Sequence, residues 1–174
     1  MAKTSINYPV LKGRTDDHLA LVKWLEQMYR KKDYSLMHEV RMVNYTNAVN
    51  PTYADLLKLL EACPYDRWRN IPGKRVCRHY AVKLHNYAER RGVRCGYVTI
   101  NYTRRSGHAV NVFETTDKGT VYVDICCPGN STNKEQRNVK FVDIAVGSKL
   151  NPRSAFSDNC YENTPKVKWF AVAW

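Results

Sequence analysis

The chain has 174 residues, 44% of them hydrophobic and 25% charged, with 28 Lys and Arg against 16 Asp and Glu and a formal net charge of +12. This length supports one domain with a real core, and this balance excludes a chain too polar to fold. No run approaches the roughly 20 apolar residues that a membrane span needs, and the opening MAKTSINYPV lacks the apolar stretch of a secretory leader.

The positive surplus favours anionic surroundings. The bases are scattered, however, at Lys31, Lys32, Arg67, Arg69, Lys74, Arg75, Arg78, Arg90, Arg91, Arg94, Arg104 and Arg105. No aromatic-interleaved stripe accompanies them, which argues against nucleic acid as the primary partner and leaves an acidic substrate open. Six cysteines occur, at positions 63, 77, 95, 126, 127 and 160, and none forms a CxxC pair, so no zinc motif is present. If Cys77 is a free nucleophile, five remain and cannot all pair within the chain. A reduced, cytoplasmic setting is expected on that ground.

Residues 1–14 read as a loose lead-in packed by Tyr8, Val10 and Leu11. Thr15 is a good N-cap, with Asp16 and Asp17 where carboxylates suit the helix dipole. Leu19, Val22, Leu25, Met28 and Tyr29 then predict a helix over 16–31. Residues 33–49 fit helix and extended chain equally. Thr52 with Asp55 three residues on resembles a capping box, opening a helix whose apolar face is Leu56, Leu57, Leu59, Leu60 and Cys63 and which Pro64 ends. The linker PYDRWRNIPGKR follows. A third helix is predicted from Val76 to Arg91, with Cys77, Tyr80, Ala81, Leu84, Tyr87 and Ala88 on its buried stripe and Gly92 as its left-handed terminator.

Strands are predicted at 95–102, 108–114 and 120–125, the last two as a hairpin with residues 115–119 as its loop. That register sets Glu114 opposite Thr120 and Val110 opposite Asp124. His108 and Asp124 then become diagonal neighbours on one face, whereas a slip of one residue would separate them. Residues 126–138 read as a polar loop, 140–146 and 166–174 as two further strands, and 147–165 as a long loop. Helices first and sheet afterwards predict an α+β domain with helices packed on an antiparallel sheet.

Cys77, His108 and Asp124 are the candidate catalytic residues. A thiolate attacks a carbonyl, a thiol does not, and a helix N-terminus with neighbouring bases lowers a cysteine's pKa. Cys77 has that position, beside Lys74, Arg75 and Arg78. His108 would shuttle the proton and Asp124 would orient its ring. The Cys77 backbone N–H is a natural oxyanion donor. A second donor is not evident beyond Trp68 or the Tyr65–Gly73 linker. Singly, such residues are ordinarily a small buried hydrophobe, a structural histidine and a turn aspartate, so the weight rests on their ordered set. Among the other candidates, His79 should point away from Cys77, to the surface or behind the site. His85 reads as structural, Asn111 as facing away from His108, and Asp117 as a weaker choice of acid.

Cys77-Arg-His-Tyr-Ala, Gly107-His-Ala and Val121-Tyr-Val-Asp124 resemble, in order, the three motifs of the transglutaminase-like (papain-like) superfamily. Asn50-Pro-Thr-Tyr53, His108-Ala-Val-Asn-Val-Phe113 and Thr115-Thr-Asp117 are similar to small prokaryotic, notably archaeal, members. The likeness covers residues 50–125 well and 139–174 weakly, and leaves 1–49 unexplained. It implies a papain-like α+β fold in one domain spanning 1–174: an N-terminal helical part over 1–49, a catalytic core over 50–125 and C-terminal strands over 126–174. It also implies thioester chemistry by Cys77, His108 and Asp124 on an amide, peptide or isopeptide bond of a protein, peptide or peptide-crosslinked polymer, with no metal or organic cofactor. The aromatic common after the His-Ala pair is Val110 here, so one wall of the cleft differs. Acyl transfer to amines and a non-catalytic basic binding module are the alternatives.

Overall fold

A computed structural model of the chain describes residues 3–5, 11–12, 42–67, 76–104, 107–126, 139–152, 161 and 164–174. The helix expected over 16–31, the polar loop over 127–138 and linker residues 68–75, Trp68 included, lie outside them.

Two α-helices are present among the described residues: α1 (Tyr53–Glu61) and α2 (Cys77–Glu89). Thr52 caps α1, its Oγ1 accepting the Asp55 N–H at 3.1 Å. The buried face of α1 is Leu56, Leu59 and Leu60. Leu57, expected on that face, is 42% exposed, because it sits 100° round the helix from Leu56. In α2 the expected stripe is buried at Tyr80, Ala81, Leu84, Tyr87 and Ala88. The helix stops at Glu89 rather than Arg91, and Gly92 at φ 77° donates its N–H to the Glu89 carbonyl at 3.0 Å.

The strands are β1 (Lys3–Ser5), β2 (Leu11–Lys12), β3 (Val43–Tyr45), β4 (Gly96–Tyr102), β5 (His108–Thr115), β6 (Gly119–Asp124), β7 (Lys140–Asp143), β8 (Asn151–Pro152) and β9 (Val167–Ala173). Seven make one sheet in the order β2-β9-β4-β5-β6-β7-β8, with every pairing antiparallel, and β1 pairs with β3 apart from it. The architecture is α+β with an antiparallel sheet, as the order of elements predicts. The lead-in is not loose throughout, since Leu11 and Lys12 edge the sheet against β9.

Both faces of the sheet are buried. Leu56, Leu84, Phe113 and Val123 belong to the core under the helices, and Val98, Ile100, Val110, Val112 and Val142 form a second core on the other face. In β5 the residues of both faces are buried from Ala109 to Phe113, which is why that strand reads as a nearly unbroken apolar run. Asn111 is the polar exception. It faces the helices, and its Nδ2 donates to the Ala81 carbonyl at 2.9 Å, fastening α2 to β5.

The hairpin has the expected register, with Glu114 opposite Thr120 and Asn111 opposite Val123. Two hydrogen bonds to one distant segment, the entry to α1, hold it there. The Thr116 N–H donates to the Pro51 carbonyl at 2.9 Å, and the Tyr53 N–H to Asp117 Oδ1 at 2.7 Å. Asp117, weighed from sequence as an alternative acid, is instead an acceptor at the start of α1. Among the described residues no helix is long and apolar enough to cross a membrane.

Candidate active site

Cys77 is the first residue of α2, and its N-cap, Val76, is extended at φ −119° and ψ 172°. Valine carries no acceptor, so the cap supplies nothing to the first-turn N–H groups that a helix leaves unpaired. Only the return half of a capping arrangement exists, in which the Val76 N–H donates to His79 Nδ1 at 3.1 Å. His79 is therefore not at the surface: it is buried and braces the helix start that carries Cys77.

His108 opens β5 opposite Ile100 of β4. Gly107 makes that placement possible, because a Cβ there would run into the Ile100 carbonyl oxygen, a backbone atom that cannot yield. Asp124 ends β6. The hairpin register puts it one pair beyond Asn111–Val123, diagonal to His108 and on the same face. The two meet, with His108 Nε2 lying 2.5 Å from Asp124 Oδ2. Their side chains are 13% and 1% exposed, respectively. Cys77 lies close enough to the His108 ring and the Ala109 N–H for both to act on the charge of its thiol. With Nε2 turned to the carboxylate, Nδ1 is the nitrogen left for sulfur. Sulfur, imidazole and carboxylate thus stand in series, contributed by α2, β5 and β6.

The electrostatics follow from that series. Burial alone would raise the Cys77 pKa, but the hydrogen bond and charge of His108, with the Ala109 N–H, outweigh it and hold the thiol below its ordinary value of 9.0. Burial would lower the pKa of His108. The charge and hydrogen bond of Asp124 oppose this, Cys77 adds to them, and the imidazole is pushed up from 6.5 to about 10. Asp124 is lowered in spite of burial by His108, the Tyr161 hydroxyl and the Cys126 N–H. Four free cysteines are described, Cys63, Cys77, Cys95 and Cys126; burial acts to raise each of them, and only Cys77 is lowered on balance. The shared pattern is a thiolate–imidazolium pair backed by a carboxylate.

Compared with protein-family models, with curated proteins and with solved structures, the chain matches none.

Three contributors to the site are not visible from sequence patterning. The Tyr161 hydroxyl donates to Asp124 Oδ2 at 2.6 Å, and the Cys126 N–H to Asp124 Oδ1 at 2.7 Å. The Ala109 N–H faces the sulfur. Two are backbone groups, which no residue type announces, and Tyr161 stands alone in a stretch of turn-formers. The remaining histidines of the described residues are structural. His85 is buried, meets Asn44 Oδ1 through Nε2 at 2.7 Å, and is driven by burial down to about 4, so it stays neutral. His18 and His38 lie outside the described residues. No group of three or more His, Cys, Asp or Glu is placed to hold a metal ion among the described residues. A concavity of about 570 Å³ lined by Tyr53, Lys118, Tyr122 and Phe141 touches none of Cys77, His108 and Asp124, so it is not the site that this chemistry defines.

Proposed function

We propose that the chain is a transglutaminase-like cysteine hydrolase that cleaves an amide, peptide or isopeptide bond through a thioester. What supports this reading above all is the unbroken series Cys77–His108–Asp124, with the only lowered thiol of the described residues at an acceptor-free helix start. In this reading Cys77 Sγ forms a bond to the scissile carbonyl carbon, and the carbonyl electron pair moves onto oxygen. The Cys77 N–H stabilises that oxyanion. Collapse of the adduct expels the amine, which takes its proton from His108 Nδ1, and leaves an acyl-cysteine. A water molecule then gives a proton to His108 and attacks the thioester. The carboxylic acid departs and the thiolate–imidazolium pair returns. Asp124 fixes the ring and balances its charge throughout.

The exposed bases Arg90, Arg91 and Arg94 stand just beyond the far end of α2. Its 13 residues set them about 20 Å from Cys77. An acidic polymer long enough to span that distance is the substrate they suit.

A p-nitrophenyl ester with a small acyl group tests the reading without knowledge of the natural substrate. The expected result is a burst of p-nitrophenol, with the acyl mass localised to Cys77 and both lost in Cys77→Ala. Adding a primary amine separates hydrolysis from acyl transfer by the product formed. A folded protein whose Cys77 neither acylates nor alkylates faster than an ordinary exposed thiol would sink the reading.

A further inference from the structure

Asp124 is an ionised group with 1% of its side chain exposed, so its charge must be met by protein donors rather than by water. Three donors reach it. His108 and Tyr161 share Oδ2, at 2.5 Å and 2.6 Å, and the Cys126 N–H holds Oδ1 at 2.7 Å. Of these, only Tyr161 comes from outside the hairpin and its exit. It lies between β8 and β9, 37 residues beyond Asp124, and is 3% exposed. The Thr164 N–H and hydroxyl both donate to the Tyr161 carbonyl, at 3.0 Å and 2.7 Å, so its backbone is pinned six residues before β9 begins.

We infer that Tyr161 is a positioning residue of this site: its phenol keeps the Asp124 carboxylate ionised and aimed at His108. A filler for the second core would need only the ring. Two donors on Oδ2 and one on Oδ1 fix the carboxylate's rotation as well as its charge, which is what a group that must orient an imidazole requires. The titratable groups facing Asp124 are His108 from β5, Cys77 from α2, Tyr102 from β4, Cys126 after β6, Tyr161 itself, and Lys140, which stands opposite Asp124 in β7. Tyr102 is a built-in control. It lies in the same core, is 7% exposed, senses the charges of Asp124 and Cys77, and its hydroxyl has no hydrogen-bond partner among the described residues. The consequence for turnover rests on the catalytic reading above, whereas the carboxylate's own titration does not.

The experiment is carbon-13 carboxylate NMR of the full chain, with Asp124 assigned by Asp124→Asn, in wild type, Tyr161→Phe and Tyr102→Phe. Tyr161→Phe is expected to raise the midpoint of Asp124 protonation by about one pH unit, the worth of one hydrogen bond to a charged group. The acid limb of Cys77 alkylation by iodoacetamide should move in the same direction. Tyr102→Phe should leave the midpoint in place. If Tyr161→Phe does not fold, Thr164→Val, which loosens the tyrosine backbone and keeps the phenol, should give a smaller upward move. An unmoved midpoint in folded Tyr161→Phe, or an equal move in Tyr102→Phe, overturns the inference. A reactive Cys77 with an unmoved Asp124 would remove this inference alone. A moved Asp124 with an inert Cys77 would support the tyrosine's hold on the carboxylate and remove the catalytic reading instead.

Discussion

Replacing Cys77 with serine should change how stability depends on pH, in a way that separates an ion pair from a neutral thiol and imidazole. The unfolded reference values are 9.0 for the thiol and 6.5 for the imidazole, and folding lowers the first and raises the second to about 10. Consider the range above 6.5 and above the lowered thiol value, but below 9.0. The unfolded chain there holds one proton, on sulfur. The folded chain also holds one, on His108. Stability in this range is set by the difference in bound protons, which is zero, so the pair contributes no slope. In Cys77→Ser the thiol is gone, while Asp124 still raises His108. The folded state now holds one proton more than the unfolded state, so the His108 contribution is complete below pH 6.5 and is lost as pH rises towards the folded value. The slope approaches about −1.4 kcal/mol per pH unit above pH 6.5 and flattens at the folded His108 value of the variant, which lies below the wild-type value because the contribution of Cys77 is gone. Urea unfolding of both proteins at half-unit steps measures it, and titrations common to both cancel in the difference. Parallel curves would refute the reasoning, because they would mean that Cys77 stays protonated in the folded protein up to its ordinary value.

Other expectations follow from the same geometry. Val76→Thr should stabilise the protein by about 1 kcal/mol by supplying an N-cap acceptor, yet slow Cys77 alkylation at pH 6, because the new hydroxyl competes for first-turn N–H groups. Unchanged alkylation would mean that those groups do not act on the sulfur. Gly107→Ala should cost about 1–3 kcal/mol, as overpacking does, and slow alkylation further by displacing His108, both readable from denaturation and site-resolved mass spectrometry. Asp117→Ala should lose about 1 kcal/mol through the unpaired Tyr53 N–H and leave the alkylation profile of Cys77 unchanged. A shifted profile would return Asp117 to the site.

How much of this was legible in the sequence depended on how local its cause was. Thr52 and Asp55 lie within one turn, and the Tyr80–Ala88 stripe within one helix, so caps and periodicity reported both helices. The hairpin was legible because a short loop sets its own register: Thr115 pairs with Gly119, so the loop is residues 116–118 rather than 115–119, but the register is the expected one and was enough to bring His108 to Asp124. Val43–Tyr45 was not legible. Its strand partner is Lys3–Ser5, and its other partners are helix side chains, with Val43 N–H on Asn86 Oδ1 at 2.8 Å and Tyr45 N–H on Glu89 Oε2 at 2.9 Å. Tyr161 was hidden for the same reason: a hydroxyl's choice of a carboxylate 37 residues away leaves no periodic trace.

The positions that break local rules are not spread evenly. The helix that only supports the fold, α1, has a threonine cap and an acidic first turn, as local stability favours. The helix that carries Cys77 begins on valine with no acidic residue in its first turn. An acid there would raise the pKa of the very thiol that the helix start helps to lower. His108 follows a glycine that no other residue could replace without a clash, and it shares with Asp124 a buried charge that apolar residues would fill at less cost. Local conflicts of this kind are expected where structure gives way to chemistry. Here they converge on one sulfur, one ring and one carboxylate. Substitutions that repair them should therefore tend to strengthen the fold and weaken the reactivity of Cys77 together, with Val76→Thr as the cleanest case, because valine and threonine share one shape and differ by a single hydroxyl in place of a methyl.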